Sequence, residues 1–162
     1  WFYTGGARPY GYRGLGEIVV FVFFGPVATV GTAWLLIGSI PVESWLTGSA
    51  AGFFASAVLL VNNIRDIDQD RLAHKRTLAV WLGPVVSKVL LIVLLMLPYV
   101  IVGVLSLVFV WAPLVLLTGI ITIVVIVIVL LSKTPKDLIT ALGVMSLNAL
   151  VFALALGVAL VL

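Results

Sequence analysis

The stretch PLVLLTGIITIVVIVIVLL, residues 113–131, contains no charged side chain and decides the class of fold. An α-helix needs roughly 20 mainly apolar residues to cross the hydrocarbon core of a bilayer. The many Ile and Val residues would favour a strand in water, but an open strand in lipid leaves backbone polar groups without partners. The stretch therefore predicts a membrane-spanning helix.

Four further apolar stretches bring the predicted number of spans to five: 17–40, 45–61, 85–110, 113–131 and 138–162. Hydrophobic residues make up 64% of the 162 residues and charged residues only 9%, whereas a soluble domain carries about 25% charged residues. Lipid must therefore be the solvent for much of the chain. We predict an all-α fold, a polytopic transmembrane helical bundle of one domain. The absence of Cys and the single His exclude disulfides and Cys/His zinc sites.

The second predicted span is short and rich in small residues, namely Gly48, Ala50, Ala51, Gly52 and Ala55. Lipid tails are as apolar as the helices, so helix association in a membrane depends on close packing. These small residues predict a close approach between this helix and a neighbour.

The basic residues are distributed on one side only. With five spans, the segments 1–16, 62–84 and 132–137 share one side, and every Lys and Arg falls there except Lys88, which can snorkel to it. The positive-inside rule places these loops in the cytoplasm and the carboxyl terminus outside. We expect the lipid bilayer as a partner and no nucleic acid.

The polar segment Asn62–Thr77 follows the second span without a break, and its acids are the candidate metal ligands. If the helix continues, 100° per residue places Asn62, Asn63, Asp66 and Asp70 within an arc of about 100°, while Asp68 projects away. Like charges four residues apart destabilise a helix by a few tenths of a kcal/mol, so a compensating cation is expected. Mg²⁺ is the candidate, because it prefers one or two carboxylates together with water and phosphate oxygens.

The same segment supplies Arg65, Arg71, Lys75 and Arg76, enough positive charge to bind a phosphate-rich anion. Interleaved acids and bases favour a metal–phosphate site over a lipid-contact patch. An ordinary solvated loop is the alternative, although charges near the hydrocarbon are expensive and usually functional. His74 is a ligand, a proton carrier or merely exposed, and Thr77 caps a turn or contacts phosphate.

A second polar segment, residues 3–17, contains five glycines, two arginines and three tyrosines. Such a loop can cradle an anion, frame an aromatic substrate or serve only as a flexible connection. Its spacing matches neither the Walker phosphate loop nor the dinucleotide fingerprint. Arg8, Tyr10 and Tyr12 are the candidates for contact with an aromatic acceptor.

The run NNIRDIDQDRLAHKRTLAV, residues 62–80, resembles the second aspartate-rich motif of the UbiA superfamily of intramembrane aromatic prenyltransferases. It is most similar to the menaquinone-pathway branch, which acts on 1,4-dihydroxy-2-naphthoate, as is the loop YTGGARPYGYRGLGE, residues 3–17. The sequence departs from the usual pattern at three positions: His74 stands where Gly is usual, Trp81 replaces an Arg, and Ala7 replaces a Pro.

The resemblance implies a fold of nine spans, of which residues 1–162 are the carboxy-terminal part, with the first aspartate-rich motif on the missing amino-terminal helices. The chain starts at Trp1 without an initiator Met, which also favours a later part of a longer chain. Asp66 and Asp70 match the metal carboxylates of the family and, with Arg65, its catalytic positions. Diphosphate contacts are expected at a larger set of residues: Asn62, Asn63, Arg65, Arg71, Lys75 and Arg76.

The resemblance further implies Mg²⁺-dependent transfer of a polyprenyl group from polyprenyl diphosphate to 1,4-dihydroxy-2-naphthoate, with decarboxylation to demethylmenaquinone, in a bacterial cell membrane. This chain alone would be inactive. One alternative is a UbiA-type enzyme with another acceptor, such as 4-hydroxybenzoate, homogentisate or a chlorin. A non-enzymatic transporter or channel fragment is a second alternative, disfavoured because few polar residues lie inside the spans, chiefly Thr118, Thr122, Ser146 and Asn148.

Overall fold

The computed structural model of the protein describes residue 11 and residues 14–162. Five long helices and one short one follow each other along the chain: α1 Gly16–Ile37, α2 Val42–Arg65, α3 Ile67–Leu72, α4 Leu78–Leu105, α5 Ala112–Leu131 and α6 Pro135–Val161. The described residues contain no strand. All the helices except α3 are long and apolar enough to cross a membrane, which confirms the prediction of an all-α fold with five spans.

The helix ends differ from the predicted ends mainly at α4, which begins at Leu78 rather than at residue 85. Gly83 interrupts the helical backbone with φ 75° and ψ 169°, just before Pro84. The apolar run therefore marks the part of α4 after this kink, and a short helical segment precedes it.

Helix α2 is the centre of the bundle and packs against α1, α4 and α6. Its buried side chains include Ala50, Phe54, Ala57 and Leu60. Small and large residues alternate on this buried surface, so three neighbours can approach the same helix. By contrast, α1 exposes large apolar side chains such as Leu35 and Leu36, as expected of a surface in contact with lipid.

Glycines allow α1 and α2 to touch at backbone distance. A Cβ atom on Gly25 would lie 2.6 Å from the carbonyl oxygen of Gly48, and a Cβ atom on Gly52 would lie 2.7 Å from the carbonyl oxygen of Phe21. Gly25 also departs from helical geometry in a π-helical turn that contains Pro26. The predicted close approach of the second span to a neighbour is confirmed.

The helical hydrogen-bond pattern continues past the end of α2. Asp66 separates α2 from α3 with φ −101° and ψ 11°, yet its N–H donates to the Asn62 carbonyl at 3.0 Å. The Asp70 N–H donates in turn to the Asp66 carbonyl at 2.8 Å. Asp66 and Asp70 are therefore one helical turn apart, as the helical phase predicted.

Helix α3 ends in a turn that reverses the chain. His74 is left-handed, with φ 55°, and its N–H donates to the Arg71 carbonyl at 3.1 Å. The Lys75 N–H reaches back to the Asp70 carbonyl at 2.8 Å. This is the Schellman arrangement, in which the left-handed residue is usually Gly. The turn brings Lys75 back over the helix that carries Asp70.

Helices α4, α5 and α6 are joined by a group of polar side chains that we call the tyrosine cluster: Tyr99, Thr118, Thr122 and Asn148. The Tyr99 hydroxyl lies 2.7 Å from the Thr122 hydroxyl and 3.1 Å from that of Thr118. Asn148 Nδ2 donates to Thr122 Oγ1 at 2.6 Å. Interhelical hydrogen bonds of this kind help hold membrane helices together.

Two long-range hydrogen bonds link the polar segments at one end of the bundle. Asn63, near the end of α2, donates to Glu17 at the start of α1. Lys88 of α4 donates to Ser132, which follows α5, with an Nζ–Oγ distance of 2.9 Å. The start of α6, where Thr134 and Asp137 form a capping box, directly follows Ser132.

Candidate functional site

The polar end of the bundle contains a compact group of charged and polar side chains that we call the ionic cluster. Helix α1 contributes Glu17, and α2 contributes Asn63 and Arg65. The chain from the α2–α3 junction to the start of α4 contributes the rest: Asp66, Asp70, Lys75 and Thr77. Glu17, Asn63, Asp70 and Thr77 are buried, although they lie at helix ends.

Asp66 forms a two-pronged ion pair with its neighbour Arg65. Arg65 Nε and Nη2 each donate to one carboxylate oxygen of Asp66, both at 2.7 Å. The hydrogen bonds from the Arg65 guanidinium hold the pKa of Asp66 below its usual value. Asp66 is therefore ionised at neutral pH and offers oxygen atoms with full negative charge.

Asp70 is only 8% exposed and has two partners. Lys75 Nζ donates to both carboxylate oxygens, at 3.1 and 3.3 Å, and the Thr77 hydroxyl donates to Oδ2 at 3.3 Å. Thr77 precedes α4 in the capping position, but its hydroxyl makes no capping bond to the helix. The predicted capping bond is therefore absent, and the Thr77 hydroxyl instead binds the Asp70 carboxylate.

The cations beside the two carboxylates come from the chain itself. From the sequence, a metal ion was expected to offset the repulsion between Asp66 and Asp70. Arg65 and Lys75 also offset this repulsion. Across the described residues, no group of three acidic, His or Cys side chains is close enough to hold an ion. Two carboxylates one turn apart are nevertheless hard oxygen donors of the kind that Mg²⁺ takes together with water and phosphate.

The remaining predicted residues lie around this cluster or outside it. Asn62 is half-buried and donates to the Val58 carbonyl of its own helix at 3.1 Å. Arg71 is exposed and lies 3.6 Å from Asp68, which is 94% exposed, as its exclusion from the acidic face predicted. Arg76 and His74 are exposed. The predicted acceptor residues Arg8, Tyr10 and Tyr12 lie outside the described residues.

Glu17 is the member of the cluster that sequence reasoning missed. Its Oε1 accepts a hydrogen bond from Asn63 Nδ2 at 2.8 Å, and the residue is 5% exposed. A signal was present, because Glu17 ends the glycine-rich segment and is one of only two Glu residues in the chain. In the sequence, Glu17 only marks the end of that segment and the boundary of a predicted span.

The end of the glycine-rich segment lies next to the start of α4. Gly14 is left-handed, with φ 71°, and a Cβ atom there would lie 3.5 Å from the Trp81 ring and 3.6 Å from the Arg76 carbonyl oxygen. The two polar segments singled out from the sequence are therefore neighbours in the fold.

An apolar groove of about 530 Å³ runs between α1, α2 and α6. Its lining includes Ala51, Phe54, Val58 and Phe152. Val58 is one helical turn before Asn62, so the groove leads along α2 toward the polar end of the bundle. Its size and lining are those of a site for an apolar ligand or helix.

The family model described as the UbiA prenyltransferase family matches residues 1–150, and the chain belongs to that family. This confirms the resemblance drawn from the second aspartate-rich motif. The all-helical bundle and the paired carboxylates beside basic side chains agree with it. No solved structure matches the chain significantly.

The names of curated relatives specify a reaction more closely than the family does. The chain is 47% identical over 90 residues to a 1,4-dihydroxy-2-naphthoate octaprenyltransferase of Mycobacterium tuberculosis, covering 56% of this chain and 31% of that protein. It is 53% identical over 81 residues to the Haemophilus influenzae protein of the same name, covering 50% and 26%. The human UbiA prenyltransferase domain-containing protein 1 is 34% identical over 104 residues, covering 64% and 30%. The matched part is thus less than a third of each relative.

Proposed function

We propose that this chain is part of an enzyme that transfers a polyprenyl group from polyprenyl diphosphate to 1,4-dihydroxy-2-naphthoate. The observation that carries the proposal is the pairing of Asp66 and Asp70, one helical turn apart, with Arg65 and Lys75 beside them. Family membership and the names of the bacterial relatives support the same reaction.

Asp66 and Asp70 would hold Mg²⁺, which supplies positive charge to the diphosphate when bound. Arg65 and Lys75 add fixed positive charge at the same place, where charge grows on the diphosphate as its bond to the prenyl carbon breaks. The allylic carbocation is captured by a ring carbon of the acceptor. Loss of carbon dioxide and of a proton then restores the aromatic ring and gives the hydroquinone form of demethylmenaquinone.

The membrane setting suits a substrate with a polar head and a long apolar tail. The ionic cluster lies at the polar end of the bundle, and the groove beside Phe54 and Phe152 offers an apolar surface to a prenyl chain. We place this end in the cytoplasm and the carboxyl terminus outside, because the basic residues gather in the connecting segments. The matched part is less than a third of each bacterial relative, so we expect the full-length protein to contribute further groups to the site.

The test is a prenyl-transfer assay on the full-length protein with Asp66→Asn and Asp70→Asn. Each variant keeps the side-chain shape but removes a charged metal ligand, and we expect kcat/KM to fall by about 100-fold or more. Asp68→Asn is the matched control, because Asp68 projects into solvent, and its activity should stay within about twofold of the unaltered protein.

Near-normal turnover in both Asp66→Asn and Asp70→Asn at saturating substrate would overturn the proposed site. Removal of divalent cations with a chelator should abolish turnover, and Mg²⁺ should restore it. Transfer to 4-hydroxybenzoate or homogentisate in place of 1,4-dihydroxy-2-naphthoate would keep the reaction class and overturn the proposed acceptor.

A further inference from the structure

Glu17 is a buried acid to which the proposed reaction gives no role. The residue is only 5% exposed, and Oε1 accepts a hydrogen bond from Asn63. Oε2 is buried as well, and within the described part of the chain no donor reaches it. Burying a carboxylate is expensive unless donors or cations compensate. We therefore expect the Glu17 side chain to act on the polar groups that it contacts.

Asn63, one of the residues predicted to bind diphosphate, is tied directly to Glu17. Its Nδ2 donates a hydrogen bond to Glu17 Oε1 at 2.8 Å. Glu17 belongs to α1 and Asn63 to α2, so this bond joins two helices within the ionic cluster.

The backbone holds Glu17 firmly in this place. Ser56 Oγ of α2 donates to the Glu17 carbonyl at 2.8 Å, so the first turn of α1 is tied to α2. The close contact between Gly52 and Phe21 lies one turn further along α1. The carboxylate thus reaches the ionic cluster from a fixed point on a different helix.

We propose that Glu17 is a positioning residue of the diphosphate site and that it orients the Asn63 carboxamide. Because Glu17 Oε1 accepts the hydrogen bond from Asn63 Nδ2, Oδ1 of the same amide is turned away from Glu17. The inference rests on the proposed function, since it assigns a role within that site.

The experiment replaces Glu17 with Gln in the full-length protein in lipid nanodiscs. Gln keeps the shape but loses the charge, and its own amide lets Asn63 turn either way. With inorganic diphosphate and Mg²⁺ as the probe in calorimetry, we expect a dissociation constant about tenfold higher, and a similar rise in the KM for polyprenyl diphosphate. The KM for the aromatic acceptor should stay unchanged, which a general loss of structure would not produce.

Glu43→Gln is the matched control. Glu43 is the other Glu of the chain and lies in the first turn of α2, at the opposite end of that helix from Asn63. The same change of charge there should leave diphosphate affinity within about twofold. An equal loss in both variants would show a general charge effect and overturn the positioning role.

Coupling to Asn63 gives a second measurement. If Glu17 acts through Asn63, the double variant Glu17→Gln with Asn63→Leu should bind diphosphate little more weakly than Asn63→Leu alone. If the losses of diphosphate affinity caused by the two substitutions add in full, Glu17 does not act through Asn63. If Glu17→Gln does not fold, Glu17→Asp keeps the charge but shortens the reach to Asn63, and unchanged diphosphate affinity in it would contradict the inference.

The outcomes separate the inference from the proposed function. Weak diphosphate binding in Asp66→Asn and Asp70→Asn together with normal binding in Glu17→Gln overturns the role of Glu17 and leaves the proposed function standing. Absence of Mg²⁺-dependent diphosphate binding in the unaltered protein overturns both.

Discussion

The ionic cluster and the tyrosine cluster are both buried polar groups in an apolar chain, yet they are built from different chemistry. The ionic cluster pairs carboxylates with Arg65 and Lys75 at the ends of α1 and α2. The tyrosine cluster joins Tyr99, Thr122 and Asn148 of three helices by hydrogen bonds between neutral groups. The charged cluster therefore lies at one end of the bundle, and the cluster that joins α4, α5 and α6 is neutral.

This difference suits the ionic cluster to binding a substrate and the tyrosine cluster to helix packing. Burying a charge deep in hydrocarbon costs free energy, and this cost is smaller where the helices reach the polar boundary. Charged groups are therefore expected at that boundary. Hydroxyl groups and the Asn148 Nδ2 inside the bundle hydrogen-bond to one another across helices and stabilise their packing, while Asn148 Oδ1 is buried without a partner among the described residues. The same observation weakens the alternative of a transporter fragment. The polar residues inside the spans, Thr118, Thr122 and Asn148, bond to Tyr99 and to each other.

The largest expected effect on stability comes from breaking the ion pair of the ionic cluster. Lys75→Met leaves the buried Asp70 carboxylate with only Thr77 as a partner, and we expect a loss of about 3 kcal/mol in the free energy of unfolding. Reversible unfolding in mixed micelles measures it. Lys133→Met, at an exposed position, is the control and should be near neutral. Stability equal to that of the unaltered protein would show that the pair contributes nothing.

Pushing α1 away from α2 should damage the ionic cluster and spare the tyrosine cluster. In Gly52→Ala the new Cβ would meet the Phe21 carbonyl oxygen at 2.7 Å, so α1 must shift, at a cost of about 2 kcal/mol. Gly31→Ala on α1 meets nothing within 4 Å and should be neutral or slightly stabilising. Unfolding and diphosphate binding, measured on both variants, test this. Equal behaviour of the two variants would contradict the close-packing argument.

A smaller gain is expected at the turn that positions Lys75. His74 is left-handed with φ 55°, a conformation that is unfavourable for residues other than Gly, so His74→Gly should stabilise the protein by about 1 kcal/mol. Ala73→Gly is the control, because Ala73 has φ −82° and gains nothing from glycine. Thermal unfolding of the two variants should shift in opposite directions. A destabilised His74→Gly would show that the imidazole makes a favourable contact.

The smallest effect is expected in the tyrosine cluster. Tyr99→Phe removes a hydroxyl that contacts Thr118 and Thr122, and interhelical bonds of this kind contribute about 0.6 kcal/mol on average. Ser146→Ala is the control, because that hydroxyl bonds only to the Leu142 carbonyl of its own helix. Diphosphate affinity should remain unchanged in both variants. A weaker diphosphate affinity in Tyr99→Phe would contradict the claim that the tyrosine cluster serves only helix packing.

Much of the fold and part of the site were predictable because they depend on local periodicity. Runs of apolar residues located the five spans, and the helical repeat placed Asp68 in solvent, as observed. The left-handed conformation of His74 is one that favours Gly, the residue that the resemblance led us to expect at this position. The start of α4 was less predictable, because Gly83 breaks the helix between a polar and an apolar part.

The pairing of Asp70 with Lys75, and of Asn63 with Glu17, was not predictable in the same way. Lys75 returns to Asp70 only because the chain reverses at His74. Glu17 is 46 residues from Asn63 and meets it only because glycines let α1 touch α2. Thr122 and Asn148 are 26 residues apart and belong to different helices. No periodicity within one segment carries such information.

The sequence by itself determined that much of the chain lies in lipid, how many helices can cross the membrane, and that Asp68 projects into solvent. Those properties follow from hydrophobicity and from the 100° step of the helix, both of which act within a segment. Only the tertiary structure decided that Glu17 joins Asn63 from another helix. Side-chain partners depend on how closely whole helices approach, and that distance is set by packing between segments far apart in the chain.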